Sequence, residues 1–265
     1  RYPDPLSDVM VRLARLEDST HAQQALESVW PTPPSGGVVA LLAMPVGPQG
    51  ELGPRALPAW LIRAAAVRLA VNGAQVRVVS VPGRLDEAGA FAEQVSGLVR
   101  QGVEIHTESS QRTMALQGPL LGQVGILEVV ADADHIAVLS SVAPHRQLTL
   151  SGPLLALANA LSPDARDRLW SRGGDAEILR GMLEELASSL APGWAAAWLG
   201  DDLMAICGGS DLVQIQDVVN QCHGLTGDVA PEGLKPALVQ RAHLSARESL
   251  PQAPDRLPGV DARLC

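Results

Sequence analysis

The sequence predicts an α/β fold: a mostly parallel, mixed sheet flanked by helices, with a helix-rich second half. Apolar runs of strand length alternate along the chain with segments in which apolar residues recur at helical spacing. Aromatic residues make up only 3% of the 265 residues, whereas apolar residues make up 46%. A core built mainly of Ala, Val and Leu suits parallel strands covered by helices better than a sandwich of two sheets.

The first half alternates strands and helices in a way that favours right-handed crossovers. Val9–Leu16 alternates apolar and basic residues, which indicates an edge strand, and Thr20 with Gln23 forms a capping-box signature for the next helix. Gly37–Met44 is a continuous apolar run, which predicts a central strand. The remaining predicted elements are helices at 57–71 (stopped by Asn72-Gly73) and 86–101, and strands at 75–81 and 103–107.

The second half is richer in helices. The predicted strands are 135–139, 195–199 and 203–207, and the predicted helices are 153–161, one begun by 162–164, 175–190 and 211–223. We expect one α/β domain over residues 1–245, with a possible sub-division near 108–125. Residues 246–265 contain Pro251, Pro254 and Pro258 and show no periodicity, which predicts an extended tail.

Composition narrows the class of partner. The formal net charge is −9, and Lys235 is the single lysine, which argues against nucleic acid or anionic lipid as a partner. No run of 18 or more apolar residues is present, so no membrane span is predicted. Three cysteines do not make a disulfide framework. The chain begins at Arg1 without a start methionine, so the compartment is left open, with the cytoplasm favoured.

The loop after the 135–139 strand is the most informative stretch. Ligands of open α/β sheets gather beyond the carboxyl ends of strands, so we expect any site to use loop 140–151, with His145, Thr149 and Ser151 as ligand-binding candidates. An imidazole can serve as metal ligand or general acid–base, but a loop histidine bonded to backbone or water explains His145 somewhat better. Asp211 is a fourth candidate, although a helix N-cap explains it better.

Other sequence patterns do not indicate a nucleotide, metal or cofactor site. The Gly47–Gly53 connection fits neither the dinucleotide fingerprint nor the P-loop, because the glycine spacing differs and no lysine follows. Asp201 and Asp202 are explained by a turn. Cys207 and Cys222 lie 15 residues apart and form no CxxC pair, so we predict neither a metal nor a cofactor.

Five segments in order resemble the family called domain of unknown function 362. The first two are the opening strand and helix near Val11–Leu26 and the helix, Asn-Gly-Ala turn and strand of Ala56–Gly83. The others are Ala131–Asp134 with the following strand and His145, the helix Leu154–Leu161, and Cys207–Leu225. A more distant resemblance, carried by Pro144-His145 after a comparable strand, is to the nickel-pincer lactate racemases.

The departures from that family shape the functional expectation. Ala143 stands where the family's loop usually has lysine, Leu212 and Gln216 stand where its late helix usually has proline and a second aspartate, and the cysteine cluster of many members is missing. We therefore expect a non-catalytic accessory or structural subunit that binds a protein partner, or a larger complex, through its surface and tail. The alternative is a small-molecule- or metal-binding enzyme that uses loop 140–151.

Overall fold

The computed structural model describes eleven stretches of the chain. These are residues 10–13, 19–43, 57, 59–79, 96–100, 103–106, 110–142, 144–145, 148–198, 205–209 and 211–221. The predicted tail at 246–265, the Gly47–Gly53 connection, the Asp201-Asp202 turn and Cys222 lie outside the described residues.

The described strands form one large sheet and two small hairpins. Their bounds are β1 Met10–Leu13, β2 Val38–Ala43, β3 Gln75–Val79, β4 Glu104–His106, β5 Gln111–Ala115, β6 Gln123–Leu127, β7 His135–Ser141, β8 Pro144–His145, β9 Thr149–Leu150, β10 Trp194–Trp198 and β11 Ala205–Gly209. Seven of them form the main sheet in the order β1-β11-β10-β7-β2-β3-β4. The five strands from β10 to β4 are parallel, and β11 is antiparallel to both β10 and β1. The predicted mixed, mostly parallel α/β sheet is confirmed.

The described helices follow the predicted order closely. Their bounds are α1 Ser19–Val29, α2 Ala59–Ala70, α3 at residues 96–100, α4 Glu128–Ala131, α5 Pro153–Ala156 with a 3-10 turn at Leu157–Ala160, α6 Pro163–Arg172, α7 Ala176–Leu190 and α8 Leu212–Gln221. The predicted stop at Gly73 is confirmed: its φ is +85°, which favours glycine, and its N–H donates to the Ala70 carbonyl. Asp175 caps α7 by accepting from the amides of Glu177 and Ile178.

Helices cover both faces of the sheet and bury two apolar clusters. Alternate side chains of β7 point to opposite faces of the sheet and so belong to different clusters. Ala137 and Leu139 face α1, α2 and α3, whereas Ile136 and Val138 face α5, α7 and α8. Five consecutive residues of β2, from Val39 onward, are buried, as the continuous apolar run predicts. No helix in these described stretches has both the length and the apolar character needed to cross a membrane.

The β5–β6 hairpin occupies the region of the possible sub-division near 108–125. Its turn is fixed by Glu185 on α7, whose carboxylate accepts hydrogen bonds of 2.7 Å from the backbone amides of both Leu120 and Leu121. Its buried side chains, Val124, Ile126 and Leu127, belong to the same apolar cluster as α5, α7 and α8. The hairpin therefore extends that core instead of building one of its own.

Candidate functional site

The order of the strands creates a topological switch point between β2 and β7. From β2 the chain moves outward through β3 to β4, then returns to the other side of β2 as β7 and continues to β10. α2, which connects β2 to β3, covers one face, and α5 to α7, which connect β7 to β10, cover the other. The carboxyl ends of β2 and β7 therefore lie side by side where the winding reverses, which is where open α/β sheets bind ligands.

Ser140 lies at this switch point. Ser140 follows Leu139, which pairs with Ala43, the last described residue of β2. On the other side it pairs with Ala197 of β10. Its side chain is 5% exposed and shares the strand face of Val138, and no hydrogen-bond partner for Oγ exists in the described part of the chain. Sequence reasoning ended the strand at residue 139 and missed Ser140, although the Val138-Ser140-Val142 alternation points to it.

Loop 140–151 forms a short hairpin. Its strands β8 and β9 are antiparallel, with His145 opposite Thr149 and Pro144 opposite Leu150. The backbone positions of two predicted site residues, His145 and Thr149, are therefore brought together directly after β7.

Both ends of this loop are attached to the sheet. At the start, the Val142 amide donates to the Trp198 carbonyl at 2.9 Å. At the end, Ser151 is buried, and its Oγ donates to the Ser141 carbonyl over 3.5 Å. A weak bond of that length positions Ser151 beside the end of β7. Ser151, the third predicted residue, thus lies at the same carboxyl end of the sheet as the backbone of His145 and Thr149.

Gln216 holds the exit of the loop. It is 1% exposed on α8, and its amide lies where a Cβ on Gly152 would be, immediately before α5. Its Nε2 donates to Asn220 Oδ1 at 3.3 Å. Sequence reasoning noted Gln216 only as a departure from a family pattern, because its contact with Gly152 requires the fold.

α8 is anchored to α7 by Arg180. This guanidinium donates to Glu184 Oε1 at 2.6 Å on its own helix and to Asp217 Oδ1 at 2.8 Å on α8. The hydrogen bond to Glu184, followed by that to Asp217, raises the pKa of Arg180. The pair of helices that carries Gln216 is thereby fixed in position.

Asp211 is the predicted residue that the structure places apart. Its Oδ1 accepts from the amides of Val213 and Gln214 at 3.0 Å, so it caps α8. β11 runs against the parallel strands, and Gly209 pairs with Ala195. Ala195 lies three residues before Trp198, which corresponds to about 10 Å along the strand. Asp211 therefore lies at the opposite end of the sheet from Ser151, and the structure does not bring the two together.

A polar group that sequence reasoning missed lies at the edge of the sheet. Glu104 accepts from His106 Nε2 at 2.9 Å and from Gln75 Nε2 at 3.0 Å. The hydrogen bond from His106 lowers the pKa of Glu104, although partial burial opposes that shift. The signal was the alternation Glu-Ile-His, which places both side chains on one face of β4. β3 separates this group from β2, so it lies two strands, or about 10 Å, from the switch point.

No group of three or more His, Cys, Asp and Glu residues suited to hold a metal ion occurs within the described stretches. Cys207 lies on β11, while Cys222 and His223 are outside those stretches, so the predicted lack of a metal stays a prediction.

Comparison with solved structures found an enzyme of similar fold. No protein-family model matches the sequence, and the search of curated proteins gave no match. Among solved structures, the lactate racemase apoprotein from Thermoanaerobacterium thermosaccharolyticum is similar, with a TM-score of 0.52 and 14% sequence identity. The similarity covers 82% of this chain but only 58% of that one. The predicted likeness to lactate racemases is confirmed at the level of fold, whereas membership of the domain of unknown function 362 family stays a prediction.

Proposed function

We propose that this chain binds a small organic ligand at the switch point between β2 and β7, with loop 140–151 as part of the site. This is the second of the two functions that the sequence left open. The observation that carries it is the strand order. The loop with His145, Thr149 and Ser151 follows the carboxyl end of β7 at the switch point, which is where an open α/β sheet forms a crevice for ligands.

The chemistry near that crevice suits recognition of a ligand. Ser140 and Ser151 carry hydroxyls near the end of β7, and His145 belongs to the adjoining hairpin. A protein of similar fold carries the name lactate racemase, which supports a small organic molecule as the class of ligand. Because fold alone does not carry function, the proposal rests on the site and not on that likeness.

Native mass spectrometry of the full chain tests the proposal. The probes are lactate, lactamide, glycerol, ATP and NAD, applied to the wild type and to His145→Ala and Thr149→Ala. Matched controls are His106→Ala on β4 and Thr113→Ala on β5, which remove the same side chains away from the switch point. We expect one probe to bind the wild type and both controls, and to bind the two loop variants at least about threefold more weakly, as loss of a single hydrogen bond predicts. Failure of every probe, or equal losses in the controls, would contradict the proposal.

The other candidate is an accessory subunit that binds a protein partner. The observation that favours it is an exposed apolar group at the start of α7: Leu120 is 38% exposed and Ile178 is 46% exposed. Leu120 packs against Gly181, one helical turn beyond Ile178, and Glu185 holds its turn in place. Exposed apolar side chains that are firmly positioned suit a protein interface better than isolated ones do.

Affinity capture from the native source tests this candidate with Ile178→Glu. Val99→Glu is the matched control, since Val99 is 54% exposed on α3, across the sheet from α7. We expect a partner that is captured by the wild type and the control but lost with Ile178→Glu. A chain that lacks 246–265 tests the predicted contribution of the tail in the same assay. Capture of the same proteins by all four chains would contradict this function.

A further inference from the structure

We infer that the outer edge of β5 is an interface at which a second copy of this chain binds through its own β5, with the two strands antiparallel. The pairing joins two two-stranded hairpins into one sheet. This inference is independent of the proposed ligand site.

The first step is the direction of the backbone groups of β5. The Leu116 amide donates to the Gly122 carbonyl at 2.7 Å, and the Glu128 amide donates to the Ser110 carbonyl at 2.8 Å. Both bonds continue the antiparallel register of β5 and β6. Hydrogen-bonded pairs alternate along such a ladder, so the even-numbered residues of β5 bond to β6, and the odd-numbered residues direct their N–H and C=O groups to the opposite edge. These odd-numbered residues are Gln111, Thr113 and Ala115.

This outer edge is open to another strand. Gln111, Thr113 and Ala115 are all exposed. Among the described residues, none forms a backbone hydrogen bond with their outward N–H and C=O groups. A row of unpaired backbone groups of this kind is a template for pairing with a strand of another chain.

β5 lacks the features that usually protect such an edge, which are charged side chains, proline, bulges or a very short strand. It has five residues in continuous register, without proline. The charge it carries, on Arg112, is paired with Asp132 at 2.8 Å. β4, at one end of the main sheet, differs because it has three residues and carries Glu104 and His106.

The sequence of the edge fits a second copy of itself. In a two-fold symmetric pair, outward-facing residues of one strand oppose outward-facing residues of the other. A symmetry axis at Thr113 places it opposite Thr113 of the second copy and places Gln111 opposite Ala115. All the outward-facing residues of β5 then pair, with about six backbone hydrogen bonds between the chains. Cross-strand threonine pairs add stability.

Charge favours this register over its neighbours. An axis at Arg112 would place two guanidinium groups directly opposite each other, which is destabilising. An axis at Met114 would leave Gln111 without a partner on β5. With the axis at Thr113, Arg112 faces Met114 of the second copy. The two Arg112 side chains are then diagonal neighbours, about 7–8 Å apart, and each retains Asp132 as its counter-charge.

Sedimentation equilibrium of the full chain tests the inference. Thr113→Pro removes an outward N–H without removing a bond to β6, whereas the matched control Thr113→Val keeps the N–H and a branched side chain. We expect the wild type and Thr113→Val to form dimers as the concentration rises from about 10 to 500 μM, since a small interface gives a weak dimer. Thr113→Pro should associate at least about tenfold more weakly, because both hydrogen bonds between the two residues at position 113 are lost.

Charged variants give a second test that does not depend on proline. Because the axis places the two copies of residue 113 directly opposite each other, Thr113→Asp and Thr113→Arg should each weaken self-association by about tenfold. An equimolar mixture of these two variants should associate at least as tightly as the wild type.

Amide hydrogen exchange, followed by NMR at low and high concentration, shows whether the contact lies at this edge. The Thr113 amide should exchange more slowly at high concentration, whereas the Met114 amide, which faces β6, should not change. A chain that stays monomeric over this range overturns the inference, as does a dimer that none of the variants at position 113 affects. Protection of the Thr113 amide by a different, co-purifying protein in a sample without dimers overturns it too, because that protein would then be the occupant.

Discussion

The side-chain amide of Gln216 fills the space beside Gly152 that a Cβ would need. Gly152 has a φ of −179°, an extended conformation open to any residue, so the glycine is required by this contact and not by its backbone. Gln216 is buried on α8, and Gly152 follows the last residue of loop 140–151. The position of the loop exit is therefore set by a helix that comes about 60 residues later in the chain.

Gly152→Ala should destabilise the protein. The added methyl group overlaps the buried amide of Gln216, and overpacking of this kind typically costs about 1–3 kcal/mol. The free energy of unfolding from urea titrations measures the effect. Gly174→Ala is the matched control, because no atom lies within 4 Å of a Cβ at that position.

The same pair provides a double-mutant cycle. Gln216→Ala removes the amide that the new methyl group meets, so Gly152→Ala should cost less in the Gln216→Ala background by about 1 kcal/mol or more. An unchanged cost in that background, or a cost in Gly152→Ala as small as in Gly174→Ala, would show that Gln216 does not limit position 152.

Ser140→Ala and Ser162→Ala should change stability in opposite directions. Ser140 Oγ is buried without a hydrogen-bond partner in the described part of the chain, so its removal should stabilise the protein by up to about 1 kcal/mol. Ser162 Oγ caps α6 by accepting from the Ala165 amide at 3.4 Å, and its loss should cost about 1 kcal/mol. Thermal and urea unfolding of both variants measure the direction of each change in stability. A loss of stability in Ser140→Ala as large as that in Ser162→Ala would indicate that Ser140 has a structural partner.

Local patterns were sufficient to predict most of the main sheet and its helices. The buried run in β2, the Asn72-Gly73 stop and the start of α7 near residue 175 each depend on neighbours within a few residues, so they can be recognised without the fold. The same locality explains why loop 140–151 was identified: a strand end and a helix start are visible on either side of it.

The rest depends on contacts between distant segments. β5 was not predicted because its residues are mostly polar and exposed, and Glu185, which fixes the β5–β6 turn, is 64 and 65 residues away from its two partners. The separation of Asp211 from Ser151 follows from the antiparallel direction of β11, which the sequence does not reveal. Prediction of the site therefore needs the register and strand directions of the sheet, whereas prediction of the fold class does not.

Removal of Glu185 should destabilise the β5–β6 turn. Its carboxylate accepts two charge-assisted hydrogen bonds of 2.7 Å, and Glu185→Ala leaves the amides of Leu120 and Leu121 without that acceptor, at a cost of about 2–4 kcal/mol. Glu185→Gln retains one acceptor oxygen and should cost less. Urea unfolding measures the loss of stability in both variants, and hydrogen exchange at the Leu120 and Leu121 amides shows whether the loss arises in this turn. Glu27→Ala on the exposed face of α1 is the control, and equal losses at the two positions would refute this role for Glu185.

Stability should depend on pH through Glu104. The hydrogen bond from His106 holds the pKa of this carboxyl below its ordinary value of 4.5, so the ionised form is favoured in the folded state. A lowered pKa contributes stability above 4.5, and the contribution is lost as the pH falls through the folded-state pKa. Glu104 is 44% exposed, so the effect should not exceed about 1 kcal/mol. Glu104→Gln should therefore be less stable than the wild type near neutral pH, and the difference should vanish at pH values well below 4.5. Urea unfolding at several pH values measures this difference, with Glu27→Gln as the control for loss of one carboxylate. A difference that persists unchanged in acid would mean that the Glu104–His106 hydrogen bond does not stabilise the fold through ionised Glu104.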